Sequence, residues 1–80
     1  MASRLEFNRL RWRCRRGMLE NDLILARFLD LRGEGIAAEE VAGLDLLLQL
    51  SDNELWDLLS GRIEPTDTAV APLVEKLRAI

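Results

Sequence analysis

A chain with no histidine has no imidazole base, no imidazole metal ligand and no histidine-dependent triad. Chemistry is left to one thiol (Cys14), one amine (Lys76), and carboxylates, hydroxyls and arginines, and none of these falls at a catalytic or metal-ligating spacing. A single cysteine excludes an internal disulfide and cannot by itself build a structural zinc site. Its arginine neighbours could lower the Cys14 pKa and make the thiol reactive. Its place on an apolar helical face fits a small buried hydrophobe better. The expectation is a protein with no catalytic residue and no metal.

Charge is concentrated instead around one turn signal, Arg15-Arg16-Gly17-Met18-Leu19-Glu20-Asn21-Asp22. Helix-end electrostatics explains much of it. Arg15 and Arg16 are expected in the last turn of one helix, where the dipole favours cations, and Glu20 and Asp22 in the first turn of the next, where it favours anions. Gly17 is the stop between them, because glycine adopts the left-handed conformation that a Cβ resists. Met18 and Leu19 are left over as apolar side chains on a tight connection. A connection that carries both apolar groups and opposite charges makes a good contact surface. On this reading Arg16 and Glu20 face outward.

Composition limits what can position this turn. Eighty residues make one domain, residues 1–80, near the low end of what a single hydrophobic core supports. With 49% hydrophobic and 31% charged residues the chain is globular rather than disordered. No apolar run approaches the roughly eighteen residues of a membrane span, and the N-terminus lacks a signal-type apolar stretch. A cytoplasmic protein with no membrane association is expected. The net charge of −3 hides an asymmetry, with six arginines against Glu6 in residues 1–16 and an acidic excess in residues 17–80. A basic N-terminal helix on an acidic body suggests a polar partner surface or nucleic acid.

The apolar spacing predicts an all-α fold, a compact single-domain bundle of five short helices. Ser3 and Glu6 form a capping signal, followed by Phe7, Leu10 and Cys14 on one face. A second helix begins around Glu20 to Asp22, carries Ile24, Phe28 and Leu31 with Leu25 and Leu29 beside them, and stops at Gly33. Val41, Leu44, Leu47 and Leu48 mark a third. Ser51 and Glu54 form the clearest capping box, ahead of Leu55, Leu58 and Leu59, and Gly61 closes that helix. Pro72 fits only the first turn of the last helix, which should start near Thr68 or later. Trp12, Phe28 and Trp56 are expected to supply much of the core.

Two segments carry a family resemblance: WRCRRGMLENDLIL, with its Arg-Gly-x-x-Glu core, and LLQLSDNELWDLLSGR, an acidic cap followed by a short apolar helix. Together they resemble the small assembly factors of succinate dehydrogenase, the bacterial flavinylation factor and its mitochondrial counterpart. Ala37, Gly43, Leu44 and Leu58 depart from the residues common in that family. The resemblance implies a non-enzymatic protein that binds the flavoprotein subunit of succinate dehydrogenase, and that of fumarate reductase as a further client. It would promote covalent attachment of FAD to a histidine of that subunit. It would have no cofactor of its own, acting on the partner's FAD, and would be a monomer in the cytoplasm. Carried onto this chain, Arg16, Gly17 and Glu20 become flavoprotein contacts, Asp22 matches the acidic position that follows, and Arg15 and Met18 complete the predicted surface. The alternative is a small helical nucleic-acid-binding or regulatory module that uses the basic N-terminal helix, with Trp12 stacking on a base.

Overall fold

In a computed structural model that describes residues 3–80, the chain forms five α-helices and, among the described residues, no strand. They are α1 (Arg4–Arg13), α2 (Leu19–Arg32), α3 (Ala38–Leu47), α4 (Asp52–Leu59) and α5 (Ala71–Arg78), with a 3-10 turn at Gly33–Gly35 after α2. None is long enough to be stable alone except marginally α2, so the helices depend on one shared core. The radius of gyration is 11.6 Å, against about 12 Å expected of a compact body of this length.

Local signals set most of the boundaries. The Ser3 hydroxyl oxygen accepts the Glu6 N–H at 3.1 Å and starts α1. At α4 the capping box closes in both directions: Ser51 Oγ accepts the Glu54 N–H at 3.2 Å, and Glu54 Oε1 accepts the Ser51 N–H at 3.0 Å. Pro72 sits in the first turn of α5, which begins at Ala71 as its fixed φ and missing N–H require. One end differs from expectation. α1 stops at Arg13 with Cys14 as its cap, so Arg15 and Arg16 lie beyond the helix and not in its last turn.

α2 is the central element and packs against α4, α5 and the 3-10 turn. Its buried face is Asn21, Leu25, Phe28 and Leu29, at spacings of four, three and one. Leu31 falls about 100° round the helix from that face and is 70% exposed, contrary to its expected place in the core stripe. Trp12 is a second correction. Phe7, Leu10 and Cys14 fix the inward face of α1, and Trp12 projects from the opposite side, 74% exposed. Phe28 is fully buried, while Trp56 packs only partly against the core. Leucines from all four later helices fill the rest, including Leu44, Leu47, Leu55, Leu59 and Leu77.

Two of the family departures have structural reasons. Gly43 lies where α3 meets α5, and a Cβ there would stand 2.8 Å from Leu73 Cδ2. The glycine lets the two helices approach. Ala37 has no side chain to cap α3, and Glu40 compensates by accepting the Ala37 N–H at 3.2 Å. The other carboxylate oxygen of Glu40 accepts from Arg32 Nε at 2.9 Å and Lys76 Nζ at 3.1 Å, tying α2, α3 and α5 together. Burial pushes this carboxyl pKa up, but the two cations and the Ala37 N–H outweigh it and hold Glu40 below its ordinary 4.5.

Candidate protein-interaction site

The turn between α1 and α2 is built by side chains from three parts of the sequence. Gly17 adopts φ +96°, the left-handed region that an L side chain rarely enters. Asp22, in the first turn of α2, reaches back over it. Its Oδ1 accepts the Arg16 N–H at 2.9 Å and its Oδ2 accepts the Gly17 N–H at 3.0 Å. Asp22 therefore holds the backbone of the turn, and its carboxylate is spent inside the molecule. α2 itself starts at Leu19, with Met18 as an N-cap residue that makes no side-chain cap.

Arg16 turns inward, contrary to the expectation that it faces out. Its side chain is 18% exposed. One guanidinium N–H donates to the Leu48 carbonyl at 2.9 Å, and a second donates to the Leu50 carbonyl. Nε lies 2.9 Å from Asp52 Oδ1, an ion pair by distance in which the N–H is not aimed for a hydrogen bond. Leu48 and Leu50 follow the last residue of α3, where helix carbonyls have no intrahelical partner, so the guanidinium serves as a C-cap for that helix. A planar fork suits two diverging carbonyls better than an ammonium does. Asn21, with no exposure at all, adds a bond from Nδ2 to the Asp52 carbonyl at 3.0 Å. The two segments that carry the family resemblance thus meet in space, and Arg16 and Asn21 join them.

What remains exposed is the outer surface of the turn. Gly17, Arg15 and Glu20 are exposed, Met18 is half-buried, and Leu19 and Leu23 stand 65% and 54% exposed. Beyond its chain neighbours, no atom lies within 4 Å of the position that a Gly17 Cβ would take, so the space over the glycine is open. An open cleft beside it is lined by Arg16, Gly17, Met18, Ser51, Asp52 and Asn53. Of the six predicted contact residues, four form this outer surface and two, Arg16 and Asp22, hold its shape from behind. Asn21 and Asp52 were missed as parts of the arrangement. A polar side chain on the core stripe of α2 was the signal for Asn21; Asp52 had only its role in the α4 cap.

Among the described residues no group of histidines, cysteines and carboxylates could hold a metal. Cys14 is 3% exposed, and burial pushes its thiol up to about 11 against the opposing pull of Arg13 and Arg11. The basic helix also lies against the acidic body. Arg11 pairs with Asp30 at 2.7 Å and Arg13 with Asp45 at 2.5 Å, which together with the Arg16 pair engages three of the six arginines of residues 1–16. Among the described residues no helix is long and apolar enough to cross a membrane.

Comparison with known proteins places the same two segments in one family. Residues 8–80 match the family described as the flavinator of succinate dehydrogenase. An FAD assembly factor of Ralstonia nicotianae is 42% identical over 72 residues, covering 90% of this chain and 76% of the relative. One from Methylococcus capsulatus is also 42% identical over 72 residues, covering 90% and 87%. One from Coxiella burnetii is 31% identical over 80 residues, covering 100% and 98%. No solved structure matches the chain. With the match extending over nearly its whole length, the chain belongs to the succinate dehydrogenase flavinator family.

Proposed function

We propose that this protein is an assembly factor that binds the flavoprotein subunit of succinate dehydrogenase and promotes covalent attachment of FAD to it. The observation that carries this reading is the family match across residues 8–80. The flavoprotein of fumarate reductase is the second expected client. The protein acts as a cytoplasmic monomer, is not an enzyme, and has no cofactor of its own. The FAD and the acceptor histidine belong to the client, which agrees with a helper that contains no histidine.

Covalent flavinylation needs the flavin ring, the acceptor histidine and charge-stabilising groups held in one arrangement with water kept out. A helper without reactive groups can contribute by binding best to that arrangement and raising its population. The turn suits this role. Gly17 lets the client backbone approach closely, Glu20 accepts from a client arginine or backbone N–H, and Arg15 supplies a cation for a client carboxylate. Arg16 and Asp22 keep the turn in one shape before binding, which reduces the ordering cost of the complex.

Deletion of the gene in its own host tests the reading. Covalent flavin fluorescence of the succinate dehydrogenase flavoprotein in a denaturing gel should be lost and should return with the wild-type gene. An undiminished band in the deletion strain would contradict the proposal.

A further inference from the structure

A groove of about 280 Å³ runs between α1 and α2 beside the turn. Asn8, Arg11 and Trp12 of α1 and Arg15 just beyond it form one wall, and Ala26 and Leu29 contribute from α2. Its position is continuous with the turn, since Arg15 and Asp22 belong to both. Trp12 leaves most of a large indole in water, whereas Cys14 and both phenylalanines are buried. Leu19 and Leu23 share the outer stripe of α2 with Ala26, so apolar surface runs from the groove to the turn. A contiguous exposed apolar strip of this kind marks a contact surface, and tryptophan is the residue type most enriched among interface anchors.

The charges around the groove specify its occupant. Asp22 is occupied by the Arg16 and Gly17 N–H groups, and Asp30 by Arg11. Arg15 is exposed and makes no ion pair among the described residues. The unmatched charge at the groove is therefore positive, next to an indole face. We propose that this groove is a second docking element for the client flavoprotein, taking a surface segment in which an acidic side chain meets Arg15 beside an apolar side chain that packs on Trp12. The inference rests on the assembly-factor reading and extends it from the turn to the α1–α2 face.

The test measures binding of the purified, FAD-loaded flavoprotein subunit to wild type, Trp12→Ala, Trp12→Phe, Arg15→Glu and, as a reference for the turn, Gly17→Arg. Trp12 lies outside the core, so Trp12→Ala should melt within a few degrees of wild type. Its binding should weaken roughly 10- to 100-fold, the usual loss for an interface anchor, and Trp12→Phe should recover most of it. Arg15→Glu should weaken binding and flatten its dependence on salt. Binding of Trp12→Ala within twofold of wild type, with Gly17→Arg inactive, overturns the groove while the turn reading stands. Loss in Trp12→Ala that Trp12→Phe fails to restore overturns the packing role of the ring. A wild type that does not bind the flavoprotein overturns both readings. Unchanged flavoprotein binding with reduced retention of Trp12→Ala on single-stranded DNA assigns the face to a different partner and overturns the proposal.

Discussion

Replacing Arg16 by alanine should destabilise the fold itself, not merely blank a contact. The substitution removes two hydrogen bonds from a charged donor to the Leu48 and Leu50 carbonyls and the ion pair to Asp52. Hydrogen bonds to charged groups contribute about 1.5–3 kcal/mol each. Those carbonyls lie past the end of α3, where the Arg16 side chain is 18% exposed, so water can replace part of what is lost. The ion pair is discounted for the same reason, since Asp52 is 39% exposed. A net loss of about 2–4 kcal/mol follows, a large share of the roughly 4–12 kcal/mol available to a domain of this size. With an unfolding entropy near 170 cal/mol/K for 80 residues, Tm should fall by roughly 12–24 °C. Arg16→Lys, which can serve one carbonyl but not the fork, should lose about half as much. Thermal melts followed by far-UV circular dichroism, with urea titrations as a second route, read these values. A fall of less than about 3 °C for Arg16→Ala would refute the inward clamp and return Arg16 to the outer surface.

Three further outcomes check other parts of the structure. Cys14, buried and with its thiol pushed up to about 11, should react with iodoacetamide at neutral pH only through unfolding; labelling as fast as a free thiol would place it at the surface. Glu40 has a depressed folded pKa, so its stabilisation is fully present above its ordinary 4.5 and is lost as pH falls through the lower folded value. Glu40→Gln should therefore be less stable than wild type at neutral pH, and the gap between the two melting curves should close on acidification; a gap independent of pH would refute the ion-paired reading. Gly43→Val puts a branched side chain against Leu73 at the α3–α5 approach and should cost about 1–3 kcal/mol in urea unfolding, whereas an unchanged midpoint would mean the helices separate freely there.

Much of the fold was legible because its punctuation is local. Ser51 with Glu54, Pro72, and Gly33 and Gly61 each act within one helical turn, and each marks an element end in the structure, whereas α1 ends at Arg13, ahead of Gly17. Trp12 was misplaced because hydrophobicity alone was used; its register relative to Phe7, Leu10 and Cys14 already put it on the far side of α1. Leu31 failed for the same reason, once Asn21 rather than Ile24 proved to begin the buried stripe of α2. The direction of Arg16 was not legible. Helix-end electrostatics and a partner contact both asked for a cation near Gly17, but the carbonyls it binds lie 32 and 34 residues further along the chain. Only the packing of α2 against α4 brings them into reach. The outer surface of the turn was better foreseen, because an exposed glycine flanked by charges depends little on tertiary detail.

In the proposed function, close approach of the client at the Gly17 turn drives flavinylation. The most direct test is the yield of covalent FAD on purified apo-flavoprotein incubated with FAD and either wild type or Gly17→Arg. A side chain at φ +96° costs about 1–3 kcal/mol of strain, yet its Cβ would meet no atom within 4 Å beyond its chain neighbours, so the variant should remain folded at 25 °C. Wild type should accelerate covalent attachment, and folded Gly17→Arg should leave it at the rate of FAD and flavoprotein alone. Equal acceleration by the folded variant would contradict the account.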